Sequence, residues 1–272
     1  MYLKKLLVVM VVIMGLTAVG LSQAGPASAE ANRQATPIIA GTRIRMQSGA
    51  QCTVGVVLKS TSPTQRLIPK AAATRYIVIA NHCVSRNGEG VVVNGKVVGQ
   101  VISRSGTDDI ALAKIDPDPV RTNRCNVGSF GVPLCTSGFR WEPQAHGRVV
   151  IASLRTRDDE AVPMPGWGAP GVNETFCTSG SFSGVNCSFA YAPVPESWFP
   201  TGISDAAKSD VLNPITGGDS GGPVMSANGK FYGIISLSGM LSATHETQSL
   251  MGYVRAEKVF QDFPGYNIAP PN

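Results

Sequence analysis

Short runs of β-branched and other apolar residues, each closed by a turn signal, recur along most of this 272-residue chain. Such runs are too short for amphipathic helices and fit strands of about four to eight residues. Cys52-Thr53-Val54-Gly55-Val56-Val57-Leu58 reads as one buried strand, and Tyr76-Ile77-Val78-Ile79-Ala80 as another. Residues 90–102 form valine-rich runs around Asn94-Gly95, a strong hairpin signal. Residues 109–115 alternate and stop at Asp116-Pro117; Ile110 and Leu112 share the apolar face, and Ile115 joins it only through a slip. Further strands are expected over 148–154, 223–226, 231–237 and 251–255. The second and third of these meet at a turn, Asn228-Gly229. Residues 117–200 are rich in proline and glycine and read as turn-rich, with 148–154 their clearest strand. Only 256–263, with Val259, Phe260 and Phe263 at helical spacing, reads as a helix near the end. There are no repeats or low-complexity tracts. The pattern predicts an all-β sandwich or barrel protein.

The start of the chain predicts export. Lys4 and Lys5 precede an apolar run from Leu6 to about Leu21, and Ala27-Ser28-Ala29 follows as a small-residue cleavage site. These are the parts of a secretory signal peptide over 1–29. The formal net charge is only +5 and the basic residues are scattered. No nucleic-acid stripe or polybasic membrane patch is expected, and no membrane attachment after cleavage.

Six cysteines follow the leader: Cys52, Cys83, Cys125, Cys135, Cys177 and Cys187. In an oxidising compartment they favour disulfides. Six cysteines allow 15 connectivities. Spacing favours Cys125–Cys135 and Cys177–Cys187 as local loops, leaving Cys52–Cys83. A zinc site is the rival, but no Cys-x-x-Cys pair exists. No metal or cofactor is expected.

The chemistry centres on Gly218-Asp219-Ser220-Gly221-Gly222-Pro223. A serine hydroxyl is a poor nucleophile unless it is exposed, paired with a base and helped to carry the charge it creates. The glycines let the backbone turn sharply and present Ser220. The N–H groups of Gly218 and Ser220 could then form an oxyanion hole. Among the three histidines, His146 and His245 lie in polar stretches and read as surface residues. His82 ends a buried strand and is pinned by Cys83, which makes it the candidate base. A base histidine needs an acid to fix its tautomer. Asp109 opens an apolar strand and is read as buried, with Asp108 facing the opposite, solvated side. The order is His82, Asp109, Ser220.

Three stretches then resemble one family. Ala80-Asn81-His82-Cys83 is similar to the histidine motif of chymotrypsin-like serine proteases, Asp109-Ile110-Ala111-Leu112 to their aspartate motif, and residues 218–223 to their serine motif. Gly233-Ile234-Ile235-Ser236 resembles their cleft strand. Cys177-Thr178-Ser179-Gly180 and Cys52-Thr53-Val54-Gly55 resemble the bacterial streptogrisin and alpha-lytic branch. The resemblance spans about residues 38–263. It implies two antiparallel β-barrels, over 30–145 and 146–272, with a short C-terminal helix and the active site between them. It places Ser236 near Asp109. It also implies a substrate pocket walled by Pro214, Ile215 and Thr216 on one side and by Ser236, Leu237 and Ser238 on the other. With no acid six residues before Ser220 and Ile235 before the cleft serine, the pocket is expected to be uncharged.

Two departures stand out. The bacterial branch carries arginine where this chain has Thr178, so Asp219 beside the nucleophile is expected to lack a counter-ion. Ile38-Ile39-Ala40-Gly41 resembles the activated N-terminus of animal members, but Pro37 and no basic residue precedes it. The expected function is a secreted, monomeric serine endopeptidase acting on peptides or proteins. The alternative is a catalytically silent secreted protein that keeps the fold for binding.

Overall fold

The computed structural model describes residues 33–127, 133–153, 156, 158–199, 201–239 and 247–272. The expected leader over 1–29 and His245 lie outside them. No helix among the described residues is long and apolar enough to cross a membrane.

The first half supplies β1 (Ile38–Ala40), β2 (Arg43–Met46), β3 (Gln51–Thr53), β4 (Val56–Ser60), β5 (Arg75–Ile79), β6 (Gly90–Val93), β7 (Lys96–Arg104) and β8 (Ala111–Ile115). Two five-residue helices, α1 (Pro63–Leu67) and α2 (Pro69–Ala73), lie between β4 and β5; each starts with a proline, whose fixed φ suits the first helical turn. The middle supplies β9 (Asp118–Val127), β10 (Pro133–Glu142), β11 (Ala145–Ala152) and β12 (Asp159–Pro163). The second half supplies β13 (Phe176–Gly180), β14 (Gly184–Ala192), β15 (Asp205–Lys208), β16 (Pro223–Met225), β17 (Phe231–Ser238) and β18 (Leu250–Arg255). The helix α3 (Ala256–Asp262) and β19 (Tyr266–Ile268) end the chain.

Strands β13-β14-β15-β18-β17-β16 close into a barrel. The other large sheet has eight strands in the order β19-β4-β5-β8-β7-β6-β2-β3 and stays open. Its first member comes from the far end of the chain: β19 pairs antiparallel with β4, Ile268 opposite Leu58. The fold is therefore chymotrypsin-like, with one closed barrel and one half-barrel.

Three cores among the described residues bear on the site. One covers one face of the half-barrel with Val57, Ile77, Ile79, Ala111, Ala113 and Ile115. One fills the closed barrel with Phe176, Phe189, Tyr232 and Tyr253. The third lies between the sheets and joins Val56, Leu58, Val78, Ile110 and Leu112 to Ile234, Val254 and Val259. Neighbouring residues of β4, β5 and β8 thus point into two different cores, since side chains alternate along a strand. That explains why these strands read as continuous apolar runs. It also corrects the expected single apolar face of residues 109–115: Ile115 belongs with Ala111 and Ala113, and no slip is needed.

The run 52–58 is two strands, broken at Val54-Gly55. A Cβ on Gly55 would collide with Ile234 and would lie 2.5 Å from the Gly221 carbonyl oxygen. The half-barrel meets the closed barrel at that glycine. The middle of the chain also differs from expectation. Instead of turns, β9 and β10 form a ten-residue antiparallel ladder with Cys125 opposite Cys135. Most of β9 is exposed, so the strand needs no apolar alternation and carries none. All three expected disulfides are present: Cys52–Cys83, Cys125–Cys135 and Cys177–Cys187.

Candidate active site

His82 sits in a 3-10 turn, Asn81–Cys83, directly after β5. The disulfide to Cys52 on β3 ties that turn to the neighbouring strand. In the segment that follows, the buried carboxylate of Glu89 accepts hydrogen bonds from the Ser48 N–H at 2.9 Å, the Ser85 N–H at 2.7 Å and the Ser85 hydroxyl at 2.8 Å. Burial by itself raises the Glu89 pKa, but these hydrogen bonds outweigh it and hold the carboxyl at about 2.

Asp109 lies just before β8 and is 8% exposed. One of its oxygens accepts from the His82 backbone N–H at 2.8 Å. The other is 2.7 Å from His82 Nδ1 and accepts from the Ser236 hydroxyl at 2.5 Å. Its own N–H donates to the Gly202 carbonyl at 3.0 Å, and its carbonyl accepts from the Asn81 N–H at 3.2 Å. The carboxylate is fixed from the His82 turn and from β17, and the Asp109 backbone from the loop that carries Gly202. Asp108 faces Thr107 of its own turn, whose hydroxyl donates to it at 3.0 Å. The hydrogen bond to Asp109 raises the His82 pKa above 6.5; burial opposes this, and the charge of Asp109 adds to the rise.

Ser220 follows a loop in which Gly218 has φ 96° and precedes Gly221 at φ 84°. A Cβ on Gly218 would strike the Phe182 ring; one on Gly221 would lie 2.5 Å from the Thr53 carbonyl oxygen. Both positions therefore require glycine. His82, Asp109 and Ser220 line one cavity of about 500 Å³ together with Thr201, Ile215, Thr216, Gly217, Ile235, Ser236, Leu237 and Ser238. Among the described residues, no hydrogen bond joins Ser220 to the His82 ring. In free enzymes such bonds are often long and tighten on substrate binding.

The pocket residues expected from sequence divide in two. Ile215, Thr216, Ser236, Leu237 and Ser238 line the cavity, whereas Pro214 is buried and is not among its lining residues. The Ser238 hydroxyl donates to the Ile215 carbonyl at 3.1 Å and so bridges the two walls. Asp210 is exposed and does not line the cavity. His146 is on β11 and half-buried; burial first, then the charges of Arg75 and Arg148, lower its pKa.

Asp219 is fully buried, and among the described residues no arginine or lysine forms an ion pair with it. Its partners are backbone N–H groups instead. One oxygen accepts from Phe182 at 2.9 Å and Ser183 at 3.1 Å, the other from Thr216 at 2.9 Å. Three amide donors stabilise a buried carboxylate without a cation. This answers the expected deficit and ties the Ser220 loop to the turn after β13.

Sequence reading missed Thr201 and Gly202. Gly202 meets the Asp109 backbone through a fold-level hydrogen bond and Thr201 lines the same cavity; only the left-handed φ of Gly202, 75°, leaves a local trace as a glycine.

No protein-family model matches the chain, and no curated protein sequence matches it. Solved structures do. Protease A of Thermobifida fusca is 16% identical, with a TM-score of 0.55, over 86% of this chain and 98% of its own. The Nocardiopsis protease is 18% identical, with a TM-score of 0.54, over 85% and 98%. A glutamic acid-specific serine protease, described as using a histidine triad in substrate binding, is 18% identical, with a TM-score of 0.53, over 85% and 100%. The fold of this chain is that of the bacterial chymotrypsin-like serine proteases.

Proposed function

We propose that this protein is a secreted serine endopeptidase in which His82, Asp109 and Ser220 form the catalytic triad. The observation that carries the reading is the 2.7 Å contact between His82 Nδ1 and a buried Asp109 carboxylate, in one cavity with Ser220. With Nδ1–H donated to Asp109, Nε2 of neutral His82 is left to accept the Ser220 proton. Ser220 then attacks a peptide carbonyl, and the N–H groups of Gly218 and Ser220 receive the oxyanion. His82 returns the proton to the leaving amine, and water releases the acyl group by the same route. Asp109 stays ionised, held by three hydrogen-bond donors. The three disulfides suit an oxidising compartment and support export.

Substrate would be a protein or peptide laid along Ser236, Leu237 and Ser238 as an added strand. The pocket presents Ile215, Ile235 and Leu237, and Asp109, the one acidic lining residue among the described residues, is engaged by His82 and Ser236. A buried Lys or Arg side chain would find no free carboxylate there. Among the described residues, no histidine besides His82 lines the cavity, and Ile235 stands before Ser236. Cleavage is expected after small or medium apolar residues. Digestion of a peptide library followed by mass spectrometry tests this, with Ser220→Ala as control. Dominant cleavage after Lys, Arg or Glu would contradict the pocket assignment.

A further inference from the structure

We infer that Thr53, a residue of the half-barrel, is a positioning residue for the oxyanion loop of the closed barrel. The inference rests on the serine-peptidase reading above. Thr53 ends β3 and is fully buried. Its backbone N–H donates to the Ser220 carbonyl at 2.9 Å. Its hydroxyl lies 2.8 Å from the Gly218 carbonyl oxygen and 2.7 Å from the Ser181 hydroxyl, and it accepts from the Ser181 N–H at 3.1 Å.

Counting protons fixes the direction of these bonds. A hydroxyl has one proton to give and two lone pairs to receive. A carbonyl only accepts, so the single Thr53 proton goes to Gly218. The Ser181 hydroxyl must then donate to Thr53, whose second lone pair takes the Ser181 N–H. Every hydrogen-bonding capacity of the buried Thr53 hydroxyl is used.

The consequence falls on Gly218. At φ 96° this residue joins two peptide planes. The preceding plane carries the Gly218 N–H, one of the two oxyanion donors; the following plane carries the carbonyl that Thr53 holds. A glycine flanked by Gly217 has the freedom to let its peptides rotate. Fixing the carbonyl removes much of that freedom before substrate arrives, which is what an oxyanion donor needs. The network is braced from the same sheet: Arg43 donates to the Ser181 carbonyl at 2.8 Å, and its guanidinium lies 4.0 Å from the centroid of the Phe182 ring, which packs where Gly218 lacks a side chain. Packing alone would be served by valine, which matches threonine in shape. The hydroxyl is what valine lacks.

The test is steady-state kinetics of the mature protein on a peptide that it cleaves, comparing wild type with Thr53→Val and Thr53→Ser. Removing a direct oxyanion donor costs about 10²–10³ in kcat, so loss of a residue that positions one should cost roughly tenfold. We expect Thr53→Val to lower kcat by about that factor with KM within about twofold, since the contact acts on the transition state. Thr53→Ser should restore kcat to near wild type. Fluorophosphonate labelling at Ser220 should slow in parallel in Thr53→Val. A Thr53→Val protein with wild-type kcat would overturn the inference, as would a kcat loss that serine fails to restore. If Thr53→Val does not fold, Thr53→Ala against Thr53→Ser supplies the same comparison. Wild-type protein without Ser220-dependent turnover would instead overturn the peptidase reading itself.

Discussion

At the scale of single residues, the site depends on how three donors converge on Asp109. The carboxylate holds the His82 ring, the His82 backbone and the Ser236 hydroxyl at once. This arrangement sets the direction of a pH profile. His82 must be neutral to act as base, and its pKa is raised by the bond to Asp109. The acid limb of kcat/KM should therefore have its midpoint above 6.5, the ordinary histidine value. Asp109→Asn removes the anion, so the limb should move down and the rate fall by about 10⁴-fold, as a wrong tautomer produces in a known triad. Asp108→Asn should change neither. A limb below the ordinary value, or full activity in Asp109→Asn, would contradict the assignment. That Asp109 is the buried member of the pair was legible in the sequence, because it precedes an apolar run. The partners of Asp219 were not legible. Its three amide donors come from residues 182, 183 and 216, and main-chain groups leave no signature in a sequence.

At the scale of elements, the segment that follows the histidine turn is tied to Ser48 by Glu89. Three hydrogen bonds from Ser48 and Ser85 reach this buried carboxylate. The sign of its linkage follows from a folded pKa of about 2 against an ordinary 4.5. A depressed carboxyl stabilises the fold above the ordinary value, and that contribution is lost as pH falls toward 2. Glu89→Gln should cost about 1.5–3 kcal/mol at pH 7, since hydrogen bonds to charged groups carry that much. Urea unfolding at pH 7 and at pH 3 checks it: the gap between wild type and variant should narrow at pH 3, and a gap independent of pH would contradict the role. Element legibility followed burial. Strands β5, β8 and β17 were readable because burial demands apolar residues. Strands β9 and β10 were hidden because exposure demands none, and α1 and α2 because five residues are too few to show a helical period.

At the scale of the whole molecule, the site is a product of contact between two sheets. His82 and Asp109 come from the half-barrel, Ser220 and Ser236 from the closed barrel, and Gly55 lets the two approach. The core between the sheets, with Ile110, Leu112, Ile234 and Val254, keeps them in register. Three short motifs in the right order announced this architecture. The half-barrel's open order and the return of β19 to β4 were not announced, because a three-residue strand pairing across most of the chain has no local signal. The most direct measurement is reaction of the mature protein with a fluorophosphonate, read by intact mass and peptide mapping. Labelling should be stoichiometric, confined to Ser220, absent in Ser220→Ala and strongly slowed in His82→Ala. Label that persists in Ser220→Ala, or a folded wild-type protein that takes none, would contradict a triad of His82, Asp109 and Ser220.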